Sequence, residues 1–193
     1  MAETITPVVH GGRRRRYLAA SAWHVVGATL SAAALGAVLG GLGALLRAPW
    51  GPATPAVVAV VAGTYLLREA FAVPIPLPDR KRQVPEWWRT FYSPAVAALL
   101  YGAGLGVGFL TYLSFGTFAA VAAGALASGD PLLGVALCAP FGIGRAVAVV
   151  AVTWRAVPDL IFRLEEVAQS RAPRLANAAA LTAGLFVAVG ALV

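Results

Sequence analysis

The sequence predicts an all-α, polytopic membrane helix bundle of about five transmembrane passages, the third of them long and broken or re-entrant. Three observations predict it. Of 193 residues, 60% are hydrophobic and 12% charged, with a mean hydropathy of +0.79, which is more apolar surface than a soluble domain of this size hides in one core. The apolar runs are long and almost free of charge, so each backbone N–H and C=O must be paired within its own segment. Helices do that, whereas the ten-residue alternation of a barrel strand is missing. Finally, the basic residues alternate along the chain. Arg13 to Arg16 precede the first apolar run, Arg80, Lys81, Arg82 and Arg89 follow the second, and Arg155, Arg163, Arg171 and Arg174 follow the fourth.

Residues 1–16 read as a basic cytoplasmic segment and 17–193 as a single transmembrane domain. Arg13–Arg16 followed by Tyr17 and Leu18 superficially resembles a twin-arginine export signal. However, the apolar stretch Tyr17–Leu46 is far longer than the roughly 7 to 15 residues of a cleavable signal core, and more spans follow. An uncleaved first span is expected, its cationic start holding the N-terminus in the cytoplasm. The turn Arg47–Pro55, with Trp50, Gly51 and Pro52, suits an external loop. The second span, about Pro55–Val73, is stopped by Pro74, Pro76 and Pro78, which remove backbone donors.

The basic loop Asp79–Thr90 ends in Trp87 and Trp88, side chains that favour the headgroup level, and is expected in the cytoplasm. From Phe91 to Gly129 no residue is charged, and that run would make about 58 Å of helix against a hydrocarbon core of roughly 30 Å. Two full spans would break the alternation of basic loops, so one passage interrupted near Gly102, Gly104, Gly106 and Gly108 is expected. Gly129, Asp130 and Pro131 form an acidic external turn before the fourth span, Pro131–Trp154. Beyond it Val157, Leu160, Ile161, Leu164 and Val167 recur at helical spacing, as in an amphipathic surface helix or a plain connector. The last span, about Leu175–Val193, would leave the C-terminus outside. With this layout twelve of the fifteen basic residues lie on the cytoplasmic side of a plasma (inner) membrane; Arg47 lies outside, and Arg68 and Arg145 lie within spans.

Several function classes are excluded. The net charge of +7 does not mark a nucleic-acid binder, because the cations sit at membrane borders and not on one face of a soluble module. Cys138 stands alone, so an internal disulfide or thiolate metal cage is ruled out, and His10 and His24 are the two imidazoles. No cofactor, metal or enzymatic activity is expected, since no nucleophile–base pair is visible. The heavy use of Ala, Gly, Val and Arg with a single Lys points to a GC-rich bacterial genome.

The candidate site residues are Arg145, Thr111, Tyr112, Ser114 and Thr117. A guanidinium in mid-span costs at least about 2.5 kcal/mol, which a water-filled cavity, carbonyls freed at a helix break, or an anionic substrate would offset; a purely structural bond to a neighbouring helix would do so too. The hydroxyls either line a polar path or bond back to their own helix. Arg68 and Glu69 are expected to snorkel, and His24 to be a structural histidine. Gly36-x-x-x-Gly40, Gly102-x-x-x-Gly106 and Gly104-x-x-x-Gly108 are small-residue strips for close helix packing.

The run HVVGATLSAAALGAVLGGLG from His24 resembles the second helix of the CcdA/DsbD family of membrane thiol-electron carriers, and AGTYLLR from Ala62 is similar to the helix after it. YGAGLGVGFLTY from Tyr101, GDPLLG from Gly129 and FGIGR from Phe141 resemble that family's next half, so the likeness covers about residues 20–150. The resemblance implies the fold and a broken-helix architecture. It does not carry the family's thiol exchange. Leu110, Thr111 and Tyr112 stand where a second cysteine would lie, the helix for the first is missing, and Cys138 is in a different span. Two functions are expected from this. One is a small-solute, transporter-like protein whose Arg145 and hydroxyl cluster line a midplane site. The other is a non-catalytic membrane subunit or assembly factor, in a cytochrome or thiol-redox biogenesis context, whose glycine strips pack against a membrane-protein partner or a second copy in the lipid bilayer.

Overall fold

The computed structural model describes residues 14–77, 87–108, 115–154 and 171–192. The surface helix expected over Val157–Val167, and Thr111, Tyr112 and Ser114, lie outside them. The described residues form helices and no strand: α1 (Arg14–Leu45), α2 (Ala53–Phe71), the four-residue α3 (Trp88–Phe91), α4 (Pro94–Gly106), α5 (Thr117–Ser128), α6 (Pro131–Trp154) and α7 (Ala172–Gly190).

Local chemistry sets the helix ends. At α4, Ser93 accepts the Val96 N–H on its Oγ and Pro94 takes the first helical position, where no amide donor is needed. Asp130 caps α6, its Oδ1 accepting the Leu132 N–H at 2.7 Å. Gly129 closes α5 in the left-handed region, φ 62°. Among the described residues, the uncharged run Phe91–Gly129 holds, beyond α3, the two helices α4 and α5, of 13 and 12 residues. Each is about 20 Å long or less, too short to cross a hydrocarbon core of roughly 30 Å alone. Pro140 lies inside α6, which continues through it.

The chain divides into two compact units, each assembled from three stretches of sequence. The first takes Met1–Ala32, Asp79–Tyr112 and Ala139–Ala168. In it α1 and α4 touch backbone to backbone: a Cβ at Gly102 would strike the His24 carbonyl oxygen, one at Gly27 the Leu99 oxygen, and one at Gly106 the Ala28 oxygen. Ala28, Leu105 and Ala146 form the buried centre, with Val25 and Val149 packed on it. Trp88 packs on Tyr101 with ring centroids 5.9 Å apart, while Trp87 stands exposed and meets Phe91 edge to face.

The second unit takes Ala33–Pro78, Leu113–Cys138 and Gln169–Val193. There α2 packs against α5 and α7. Gly36 of α1 and Gly134 of α6 lie on each other's carbonyls, Gly40 lies on Asp130 and Gly43 on Leu126.

In both units alanine is the commonest buried residue, and most large apolar side chains lie outside. The buried set is mostly alanine, whereas Leu45 (81% exposed), Leu132 (78%) and Phe186 (75%) project outward. Water would penalise that distribution, and hydrocarbon would not. Four helices are long and apolar enough to cross a membrane: α1, α2, α6 and α7.

Candidate functional site

Two polar constellations stand out, one in each unit, and each is built at the end of a short helix. In the first unit the last carbonyls of α4 have no partner in the helix they close. The Leu105 oxygen there accepts the Gly108 N–H at 3.2 Å and, at 2.8 Å, Nη1 of Arg145 from α6. Gly108 has φ 74°, a conformation glycine adopts without strain, so the chain turns off the helix axis at that point. The Arg145 guanidinium also lies 5.7 Å from the centre of the Phe141 ring, one turn back on its own helix. A cation at a helix C-terminus meets the negative end of the peptide dipoles. The arginine thus meets a carbonyl left open at the C-terminal end of α4.

In the second unit, Glu69 of α2 is buried, and its Oε1 accepts the Gly116 N–H at 3.1 Å, just before α5 begins. The carboxylate therefore faces the positive end of that helix. Arg68 Nη1 donates to the same oxygen at 2.6 Å, and Arg68 Nε donates to the Ile75 carbonyl at 3.0 Å. The segment after α2 turns back through Ala72, at φ 55°, and Tyr65 donates its hydroxyl to the Pro76 carbonyl at 3.3 Å. This return corrects the expectation that Glu69 snorkels outward: the folded-back segment engages Arg68 through the Ile75 carbonyl, and the Gly116 amide before α5 holds the carboxylate inside.

Thr117, at the first position of α5, donates from Oγ1 to Oδ1 of Asn177 at 2.9 Å, and Asn177 Nδ2 donates to the Pro173 carbonyl at 2.8 Å. Of the five residues singled out from sequence, Arg145 and Thr117 are thus described, each in a different unit. Glu69 and Asn177 were not foreseen as part of such a network. Their signal was present nonetheless, as a carboxylate and an amide each set within a mainly apolar helix.

The second unit also carries an open cleft of about 540 Å³ beside Pro49, Pro52, Thr54, Val58, Val187 and Ala188. Its wall is mainly apolar, and the Thr54 hydroxyl is engaged by the Trp50 N–H at 2.7 Å. None of the sequence-predicted site residues lines it.

With this geometry in hand, the class supported is a helical protein with membrane-compatible surfaces. Comparison with known proteins adds a specific likeness. The chain is 38% identical over 138 residues to the methylamine utilization protein MauF of Methylophilus methylotrophus, a match covering 70% of this chain and 48% of that protein. It is 34% identical over 132 residues to MauF of Paracoccus versutus (67% and 48%), and 30% identical over 168 residues to MauF of Paracoccus denitrificans (86% and 60%). The chain therefore spans about half the length of the first two relatives and 60% of the third. No protein-family model matches it, and no solved structure matches it.

These relatives overturn the resemblance to the CcdA/DsbD family, because the proteins that this sequence matches over most of its length are MauF proteins. The physical reason is that glycine and alanine spacing is a general requirement of closely packed membrane helices and does not separate one family from another.

Proposed function

We propose that this chain is a MauF-like integral membrane protein that serves methylamine utilization as a non-catalytic accessory component, acting through protein partners. The observation that carries this reading is the 38% identity over 138 residues to a protein of that name. The outward-facing leucines, valines and phenylalanines support the membrane placement. The chain crosses the bilayer about five times, with the run Phe91–Gly129 as one interrupted passage and the basic N-terminal segment in the cytoplasm. The lengths of α4 and α5 support that count, as does the alternation of basic loops.

Arg145 and Thr117 act in this reading as parts of the scaffold, since a helix-end carbonyl engages the guanidinium and Asn177 engages the hydroxyl. The transporter-like alternative finds no support in these contacts. Deleting the gene in its native host tests the proposal. Methylamine consumption should fall sharply while growth on a nitrogen and carbon source free of methylamine is unchanged, and plasmid-borne wild type should restore it. Normal methylamine consumption in the deletion strain would refute the assignment.

A further inference from the structure

We infer that Ser21 and His24 hold a shared internal water molecule inside the first unit. The two residues are three apart on α1, so their side chains share one face, with Cβ atoms about 5–6 Å apart. Both are buried, at 5% and 2% exposure. The Ser21 Oγ and both ring nitrogens of His24 have no hydrogen-bond partner among the described residues. That places three polar atoms within one turn of a helix. One ring nitrogen of His24 lies toward the backbone of Ala98 on α4, which leaves the other ring nitrogen and the Ser21 hydroxyl as the two groups one water can bridge.

The same face of α1 is otherwise complete. Four residues before Ser21, Tyr17 donates its hydroxyl to the Val150 carbonyl of α6 at 3.3 Å, and four residues after His24 comes Ala28 in the packed centre. Among the described residues, the buried side-chain atoms with unmet hydrogen-bonding capacity thus fall within one turn. A buried hydroxyl or imidazole without a partner is costly, and such atoms in folded proteins are nearly always found with a protein or water partner. A ligand held here must be small, because Gly102 brings the backbone of α4 onto the carbonyl of His24. It must also be able to bond a hydroxyl and a ring nitrogen at once, whichever of them donates. Water meets both conditions, needing about one probe sphere of space and two to four polar partners.

The test uses the full chain purified in detergent micelles. Millisecond X-ray hydroxyl-radical footprinting generates radicals from bound water and marks side chains beside it, even where bulk solvent has no access. After correction for intrinsic reactivity, His24 should be oxidised several-fold faster than the equally buried Leu181, and this rate should drop at least twofold in Ser21→Ala. In thermal unfolding, Ser21→Ala and His24→Leu should each lower the midpoint by about 2–4 °C, and the double variant should lose less than the sum, because one water serves both. A His24 rate no higher than that of Leu181 would overturn the inference, as would additive losses or a midpoint that rises when either polar group is removed. The footprinting arm on the wild type decides the matter if a variant fails to fold.

Discussion

Arg145 of α6 donates from Nη1 to the carbonyl of Leu105, 40 positions away in sequence, at 2.8 Å in the last turn of α4. The arginine caps a helix that stops within an apolar run, and it offsets by that bond part of the cost of its own burial. Replacing it with Gln keeps a shorter donor but removes the charge, and is expected to lower stability by about 1–2 kcal/mol. Arg145→Lys should lie between Gln and wild type, since an ammonium supplies charge but a more compact reach. Thermal unfolding of the three proteins in one detergent ranks them; an unchanged Gln variant would show that the bond contributes nothing to stability.

Glu69 offers a second test, at the start of α5. Glu69→Gln retains an oxygen for the Gly116 N–H and loses the charge that pairs with Arg68, whereas Glu69→Ala loses both. The alanine variant should cost about 2–3 kcal/mol and the glutamine variant about 1 kcal/mol, the pair being only partly buried on the arginine side. A double-mutant cycle with Arg68→Ala isolates the ion-pair component. Equal losses for Gln and Ala would mean that the amide contact, and with it the cap, contributes nothing.

The glycines separate cleanly along a single helix. A Cβ at Gly134 would meet the backbone of Gly36, and one at Gly144 would meet nothing. Gly134→Ala should therefore destabilise by about 1–3 kcal/mol, because backbone cannot move aside as a flexible side chain would. Gly144→Ala should be neutral or stabilising by up to about 1 kcal/mol. If both substitutions behaved alike in a detergent unfolding assay, close packing of α1 on α6 in the second unit would be wrong.

Thr117→Val removes the donor to Asn177 while keeping the side-chain shape. A loss of about 1 kcal/mol is expected, with little further loss on adding Asn177→Leu. If this pair instead held a ligand, either substitution would reduce methylamine consumption in the complemented deletion strain out of proportion to the amount of folded protein in the membrane.

Composition and hydropathy were enough to establish helices, their approximate limits and the need to interrupt the run Phe91–Gly129, because lipid leaves a chain few ways to pair its backbone. Gly36, Gly40, Gly102 and Gly106 were legible as packing positions for a similar reason: few residues besides glycine allow helices so close. Sequence did not reveal which backbone each of them would touch. Nor could it show that Arg145 reaches Leu105 or that Glu69 turns inward to Gly116, since these pairs lie 40 and 47 positions apart. Such partnerships depend on where helices cross and where the chain doubles back after α2, and local pattern carries no record of either. Family-level likeness was misread from the same local pattern. Spacing of small residues reflects close helix packing in general, whereas the matches to MauF rest on residue identity over most of the chain.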